Sequence, residues 1–275
     1  METLNNNKEM RSIDNLEALG LPADSKRLRV LWMYPDTLSI HGGRGDMMAL
    51  QRFSAKAGIP LEIRRVETLA DKVPFDEADM LYFCCGDLNC TPDVIKALEP
   101  VKVEIEKFAA EGKVIIANGS SGAVLSEDIT MLDGTVVKGL GLLKMHWTQR
   151  ETVIGNDLWL ETVDGVEVIG NEIKLADISL EPGQSAFAEA RYGYGNKGDK
   201  KEGAIKGNVI YTSCLGPLLV RNPALAMNFL KRASLVAGMD IPEEKFTLPS
   251  DFIVHELECL RESKKIINVK LQNNK

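Results

Sequence analysis

The stretch KVIIANGSSGAVL, residues 113–125, decides the fold of this chain. Its first half is an apolar run with the length of a buried strand, and the small residues that follow require a sharp turn before the next helix. This is the sequence form of a nucleophile elbow, in which the residue at the bend has a left-handed backbone and projects its side chain over a sheet. We place Asn118 at the bend, because asparagine tolerates a positive φ better than most residues.

Apolar runs of strand length alternate with helical patterns along much of the chain. Strands are predicted at residues 28–34, 61–67, 78–86, 113–118 and 208–214. Helices are predicted from about residue 47 to 58, from 92 to 112 and from 223 to 236. The alternation is typical of βαβ units, so we expect an α/β fold with a mostly parallel sheet and helices on both faces. Beyond residue 131, short β segments between Asp-Gly turns predict antiparallel hairpins added to that sheet.

Three regions are distinguished along the 275 residues. Residues 1–27 are polar and are predicted to form an N-terminal tail. Residues 28–240 carry the predicted α/β domain. Residues 241–275 are predicted to be a C-terminal helical extension, with a charged helix over about residues 251–263.

The charge balance argues against several classes of function. The chain has 33 Lys and Arg against 40 Asp and Glu, a net charge of −7, so nucleic acid is not expected as a partner.

No apolar run approaches the roughly 20 residues that cross a bilayer, so we expect no membrane insertion and a cytoplasmic protein. The five cysteines match no common zinc-ligand spacing, and neither a metal nor a cofactor is expected.

Several stretches occur in the order found in one known family. They are LSIHGGRGDMMALQRF (38–53), ADMLYFCCGD (78–87), KVIIANGSSG (113–122), DGTVVKGLGLLKMHWT (133–148) and YGYGNKGDKKEGAIKGNVIYTSCLGPLL (192–219). With them, residues 28–240 resemble the glutamine amidotransferase subunit of lipid II isoglutaminyl synthase, in the cobyric acid synthase-like branch of class I glutamine amidotransferases. The resemblance implies a subunit that releases ammonia from glutamine and forms a heterodimer with a Mur-ligase-like subunit. That partner amidates a glutamate of a peptidoglycan precursor.

The catalytic residues of that family are replaced here. The resemblance places Asn118 at the position of the nucleophilic cysteine, Leu215 at that of the general-base histidine and Gly43 at that of an aspartate. A carboxamide cannot attack glutamine to form a thioester, and a leucine cannot accept a proton. Losing the nucleophile or the base of such a triad typically lowers kcat by about 10⁶. We therefore expect no glutamine hydrolysis by the family mechanism.

The resemblance also implies a cleft around the elbow. Cys85, Gly86 and Gly119 fall in the region of the oxyanion hole, and Arg150 lies near the place where relatives bind the substrate carboxylate. A Glu-Asn-His-Gly segment of many relatives reads EIKL at residues 172–175 here.

Three functions therefore remain open. The first is a catalytically inactive glutaminase-like subunit that pairs with a Mur-ligase-like or other synthetase subunit. The second is a divergent glutamine amidotransferase that uses Cys214, Cys85 or Ser120 as a relocated nucleophile. Against it, no histidine occupies the base position and free cysteines are most often buried apolar residues. The third is a sensor that binds glutamine or another small amide without turnover.

Overall fold

A seven-stranded, mostly parallel sheet forms the centre of the computed structural model, which describes residues 11–273. Its strands, in spatial order, are β1 (Ser12–Asp14), β3 (Leu61–Val66), β2 (Leu28–Met33), β4 (Met80–Phe83), β5 (Val114–Asn118), β13 (Val209–Thr212) and β12 (Ala204–Lys206). The five middle strands are parallel, and the two edge strands, β1 and β12, are antiparallel to their neighbours. The carboxyl ends of β2, β4, β5 and β13 therefore open on the same edge, which is where open α/β sheets bind ligands.

Helices cover both faces of this sheet, as the alternation of strands and helices predicted. They are α1 (Gly43–Ala57), α2 (Thr91–Leu98), α3 (Lys102–Ala110), α4 (Gly122–Leu125), α5 (Leu218–Arg221), α6 (Pro223–Val236) and α7 (Val254–Asn273). Successive strand residues face opposite sides, so β2 contributes Val30 to a core with α1 and α6, and Leu31 to a core with α2 and α3. Within residues 11–273, no helix combines the length and apolar character needed to cross a bilayer.

The predicted hairpins form a second, six-stranded sheet. Its strands are β6 (Asp128–Thr130), β7 (Val136–Lys138), β8 (Met145–Thr162), β9 (Glu167–Leu180), β10 (Ala188–Tyr192) and β11 (Lys201–Glu202). All pairs are antiparallel except β6 with β8. The long β8–β9 hairpin brings the middle of β9 to the cleft edge of the parallel sheet. The predicted fold class, an α/β fold with antiparallel additions, is confirmed.

The N-terminal segment differs from the predicted polar tail of residues 1–27. Residues 1–10 lie outside the described residues, but β1 pairs with β3, and Asn15 behind it is buried. The Asn15 amide donates to Ser54 Oγ at 3.0 Å and to the Ile59 carbonyl at 2.9 Å, and its Oδ1 accepts from the Leu61 N–H at 2.9 Å. The segment therefore belongs to the domain. A short polar strand has too little apolar alternation for its sequence to reveal it.

The C-terminal helix begins near the predicted position and runs longer. Helix α7 extends to Asn273, ten residues beyond the predicted end, and residues 274–275 lie outside the described part. It packs against β8 and β9, where Lys264 lies 2.7 Å from Glu167 and Lys270 pairs with Asp157. Only Ile267 of this helix is buried. Because so little of the helix packs against the domain, the sequence beyond its first turns shows little of the hydrophobic periodicity that would have predicted the longer helix.

Replacing Asn15 should destabilise the domain. In Asn15→Ala the buried Leu61 N–H loses its side-chain acceptor, and leaving such a group unpaired typically costs about 1–3 kcal/mol. The measurement is the denaturant midpoint, with Ser12→Ala, an exposed residue of β1, as the matched control. Equal midpoints for the two variants would show that this segment is not anchored to the domain.

The second sheet carries a histidine whose contribution to stability depends on pH. His146 Nδ1 lies 2.8 Å from Asp128 Oδ1, and its Nε2 lies 2.9 Å from Glu181 Oε1. These carboxylates, Asp128 foremost, raise the pKa of His146 above its ordinary 6.5. A group whose pKa rises on folding stabilises the fold fully below its unfolded pKa, and this contribution is lost as pH rises through the folded value.

The denaturant midpoint of the wild-type chain should therefore be higher than that of His146→Gln, and the difference should be larger at pH 5.5 than at pH 9. The glutamine side chain of this variant can still form hydrogen bonds, but it carries no titratable charge. His255→Gln, at an exposed position of α7, serves as the matched control for the substitution itself. A difference between wild type and His146→Gln that grows with pH would contradict the assignment.

Candidate functional site

A cavity of about 320 Å³ lies at the carboxyl edge of the parallel sheet. The ends of β4, β5 and β13 form one side of it, and β8 and β9 of the second sheet close the other. The cleft residues on or just after the strands of the parallel sheet include Cys85, Gly86, Gly119, Ser120, Tyr211, Ser213 and Leu215, and those from the second sheet include Trp147, Lys174, Ala176 and Ile178. The predicted oxyanion-region residues Cys85, Gly86 and Gly119 thus line a single cleft.

The elbow bends at Gly119, one residue later than predicted. Asn118 has φ −121° and continues β5 opposite Thr212, whereas Gly119 has φ +61°. The placement of Asn118 at the bend is therefore wrong. Asparagine tolerates positive φ, but glycine adopts it without steric cost, so the following glycine takes the left-handed position.

A side chain at position 119 would face the predicted base position. A Cβ built on Gly119 would point at Cys85 Sγ and at Leu215 Cδ2, the latter 2.8 Å away. Leu215 is held there by backbone pairing with Asn171 of β9, whose carbonyl accepts from the Leu215 N–H at 2.8 Å. The residue at the bend and the residue at the predicted base position therefore face each other, but one has no side chain and the other is an alkyl group.

Asn118 has a different role from the one predicted. It is buried, and its side-chain Oδ1 has no hydrogen-bond partner among residues 11–273. Its backbone carbonyl accepts a hydrogen bond from Ser121 Oγ at 2.8 Å. Asn118 is not part of the cleft wall described above, so it occupies the last position of the strand without reaching the cavity.

Ser120 occupies the expected oxyanion hole. The Gly86 N–H donates to Ser120 Oγ at 3.2 Å, and the Ser120 hydroxyl donates in turn to the Gly86 carbonyl. Cys85 Sγ lies 3.6 Å from the same hydroxyl. An oxyanion hole needs free N–H donors aimed at the developing charge. Here the Gly86 N–H is already bonded to Ser120.

The predicted alternative thiols differ in accessibility. Cys85 lines the cleft, and burial raises the pKa of its thiol. Cys214 is fully buried in the core beside α1, and a Cβ on Gly170 would lie 2.5 Å from its sulfur. Burial raises the pKa of Cys214 well above its ordinary value. The structure thus brings Cys85 and Ser120 to the cleft and places Cys214 outside it.

Two further predicted site residues also lie outside the cleft. Gly43 is the first residue of α1 and packs against Cys84, whose Cβ and Sγ would lie 2.6 Å from an added Cβ. That contact leaves no room for the aspartate that Gly43 was expected to replace. Arg150 lies on β8, where its Nη1 is 2.8 Å from both carboxylate oxygens of Asp177. It is therefore engaged in an ion pair away from the cavity.

A buried charged group that the sequence reading missed lies beside the cleft. It consists of Glu172 and Lys174 of β9 and Glu202 of β11, all almost fully buried. Burial raises the pKa of both glutamates and lowers the pKa of Lys174. The alternation of β9 places Lys174 and Glu172 on one face, but the sequence could not show that this polar face points inward.

Asp46 is a further buried carboxylate that the sequence did not predict as a site residue. It lies on α1, accepts from the Leu219 N–H at 2.7 Å and receives a hydrogen bond from the Tyr82 hydroxyl at 3.2 Å. Burial raises the pKa of Asp46 to about 7 despite these bonds. Through Leu219, it anchors α5, the helix that follows Leu215, to α1.

The part of the chain that the structure describes contains no group of three or more His, Cys, Asp or Glu residues arranged to hold a metal ion. His41, in the glycine-rich loop before α1, lines the cleft mouth with a left-handed backbone at φ +59°. The chemistry available in the cleft therefore consists of one buried thiol, hydroxyl groups, an amine, the imidazole of His41 and the carboxylate of Asp87.

The chain is similar to several known proteins. The chain is 23% identical over 207 residues to the glutamine-hydrolysing lipid II isoglutaminyl synthase subunit GatD of Staphylococcus aureus strain N315, covering 75% of this chain and 84% of that protein. PurLQS from Thermotoga maritima is 17% identical with a TM-score of 0.49, covering 77% of this chain and 97% of that chain. The glutaminase domain of Trypanosoma brucei CTPS with bound acivicin is 9% identical with a TM-score of 0.46, covering 78% and 97%. Since residues 29–222, well over half of the sequence, match the family itself, the chain belongs to the CobB/CobQ-like glutamine amidotransferase domain family.

Proposed function

We propose that this chain is the glutamine amidotransferase-like subunit of an amide-forming synthetase and that it does not hydrolyse glutamine. The single observation that carries the proposal is the pairing at the elbow. Gly119 has the left-handed backbone of the nucleophile position, and its missing side chain would point at Leu215. Neither a nucleophile nor a proton acceptor is present where the two would have to cooperate.

The expected loss of catalytic rate supports a catalytically inactive subunit. Removing the nucleophile or the base of a hydrolytic triad typically costs about 10⁶ in kcat, and removing both costs little more because they act as a unit. The residual rate of such variants, about 10³–10⁴ over water, comes from binding and the oxyanion hole. Ser120 already bonds the Gly86 N–H, so even this residual contribution is reduced.

The proposed partner is a Mur-ligase-like subunit acting in the amidation of a cell-wall precursor in the cytoplasm. The support is the relation to GatD, which is named as a subunit of lipid II isoglutaminyl synthase and of which this chain covers 84%. In the proposed complex the subunit stabilises its partner in a heterodimer, and the partner uses ammonia from solution. A retained fold with lost catalytic groups fits such a structural role.

Two of the alternative nucleophiles, Cys85 and Ser120, reach the cleft. The Ser120 hydroxyl is bonded to the Gly86 carbonyl and N–H, so Cys85 is the stronger candidate, and its sulfur occupies the space toward which a side chain at position 119 would point. Two observations weigh against it. Burial raises the pKa of the Cys85 thiol, and Leu215 offers no base to deprotonate it. We therefore propose that Cys85 is a packing residue that fills the empty nucleophile position.

The purified chain should release no ammonia from glutamine above a heat-denatured control, alone or with a Mur-ligase-like partner from the same organism. Cys85→Ala should leave this background unchanged, as should the matched control Cys259→Ala at an exposed position. The readout is a coupled glutamate dehydrogenase assay. Ammonia release that Cys85→Ala abolishes and Cys259→Ala does not would overturn the proposal and establish the relocated thiol.

The second test concerns the partner. Co-expression with the Mur-ligase-like protein should give a heterodimer that stays together through size-exclusion chromatography. Amidation of the precursor by this complex should proceed with ammonium chloride and stay at background with glutamine, since the subunit supplies no ammonia. Glutamine-dependent amidation would refute the proposed lack of glutamine hydrolysis. Two proteins that elute separately would refute the proposed heterodimer.

A further inference from the structure

A second cavity lies on the face of the parallel sheet that α2 and α3 cover. Its volume is about 280 Å³, and its wall comes from the end of β2, from the segment before β4 and from α2 and α3. It shares no lining residue with the cleft at the elbow. The two cavities are therefore separate candidate sites.

The Tyr34 hydroxyl is an unpaired polar group at this second cavity. Tyr34 follows β2, lines the cavity and is 1% exposed. Its hydroxyl forms no hydrogen bond within residues 11–273, and it is not among the unpaired side-chain atoms there that are closed off from solvent. A molecule in the cavity can therefore reach the hydroxyl oxygen. Buried polar groups are bonded in the great majority of cases, so an unpaired group at a cavity wall calls for an explanation.

Asp71 lies close enough to this hydroxyl to act on it electrostatically. Burial and the charge of Asp71 raise the pKa of Tyr34 to about 12, so the hydroxyl end of the side chain lies toward Asp71 and is protonated at neutral pH. The Asp71 carboxylate accepts from the Thr68 N–H at 3.0 Å and from the Thr68 hydroxyl at 3.2 Å. Because each carboxylate oxygen has two lone pairs, Asp71 can accept further hydrogen bonds.

The wall of the second cavity carries more acidic than basic groups. Asp71, Asp76 and Glu104 line it, and Lys72 is the basic residue beside them. The lysines of α3 do not neutralise these carboxylates, because they pair with other glutamates. A cavity lined mainly by one sign of charge attracts a ligand of the opposite sign. The charge therefore favours a cation.

The rest of the wall is apolar. It consists of Val73 and Phe75 from the segment before β4, together with Ala97 and Val101. Such a wall binds an alkyl group, while a small number of placed polar groups fixes its orientation. Ligand pockets typically measure about 300–1,000 Å³, so this cavity admits only a small molecule.

We propose that the second cavity binds a small aliphatic amine in its ammonium form. The ammonium group donates to the Asp71 carboxylate and to the Tyr34 hydroxyl oxygen, and the alkyl chain packs against the apolar wall. An ammonium group has three donors and no acceptor, and its bond to a carboxylate is charge-assisted. This site is additional to the proposed function, since neither the loss of hydrolysis nor the pairing with a synthetase requires a bound amine.

The experiment compares butylamine with 1-butanol, two probes of nearly equal size that differ in charge. Like a lysine side chain, butylamine is protonated at pH 7. Binding to the full chain at this pH is followed by chemical-shift titration, and butylamine should bind saturably and at least tenfold more tightly than 1-butanol. Tyr34→Phe, which removes only the unpaired hydroxyl, should keep the fold and weaken butylamine binding several-fold. Tyr192→Phe, in β10 of the second sheet, is the matched control and should bind as the wild type does.

A second variant tests the carboxylate. Asp71→Asn should weaken butylamine binding at least tenfold, whereas the control Asp251→Asn, at an exposed position, should not. Equal affinity for the two probes, no saturable binding of butylamine, or full binding by folded Tyr34→Phe and Asp71→Asn variants would overturn the site.

A lysine side chain of another protein carries the same ammonium group as a free amine. The N-methylamide of Nα-acetyl-lysine represents this alternative, and it should bind more weakly than butylamine because its backbone cannot enter so small a cavity. Tighter binding of the lysine derivative would overturn the assignment to a free amine. Ammonia release from glutamine tests the proposed function separately, so the two proposals can fail independently.

Discussion

The left-handed backbone of Gly119 is the constraint on which the cleft depends. At this residue the buried strand β5 turns directly into the short segment that leads to α4, and a glycine makes the turn without steric cost. The turn directs position 119 toward Leu215 and brings the Ser120 hydroxyl to the Gly86 backbone. The geometry of a nucleophile elbow therefore persists here without a nucleophile, because the backbone conformation and the side chain at the bend are separate requirements.

The substitutions around this turn compensate one another in space. Cys85 Sγ lies where a side chain at position 119 would begin, and Leu215 closes the cavity on the opposite side. Ser120 satisfies the Gly86 N–H, a donor that would otherwise point into the cavity unbonded. A cysteine placed at position 119 would collide with Cys85, and Leu215 opposite it cannot act as a base. The residues of this site therefore pack as a group, and a change at one position would require changes at its neighbours.

The sequence predicted the fold more fully than the site, and particular residues show why. Buried parallel strands read as continuous apolar runs, so β2, β4 and β5 were recognisable. The elbow was placed one residue early, because asparagine and glycine both accept positive φ and sequence alone could not choose between Asn118 and Gly119. Lys174 was missed, since alternation along β9 defines two faces but does not say which of them points inward. The attachment of β1 depends on Asn15, a polar residue whose partners lie about 40 residues or more away along the chain.

Stability alone does not explain the buried charged group beside the cleft. Replacing a buried ionic group by well-packed apolar residues is often neutral or stabilising, so stability alone gives little reason to keep one. Loss of hydrolysis would therefore permit apolar residues to replace Glu172, Lys174 and Glu202. Instead the two glutamates hold five hydrogen bonds from neutral donors, and the lysine alone remains unbonded. Within residues 11–273, this division leaves two satisfied acceptors beside one buried, unsatisfied donor.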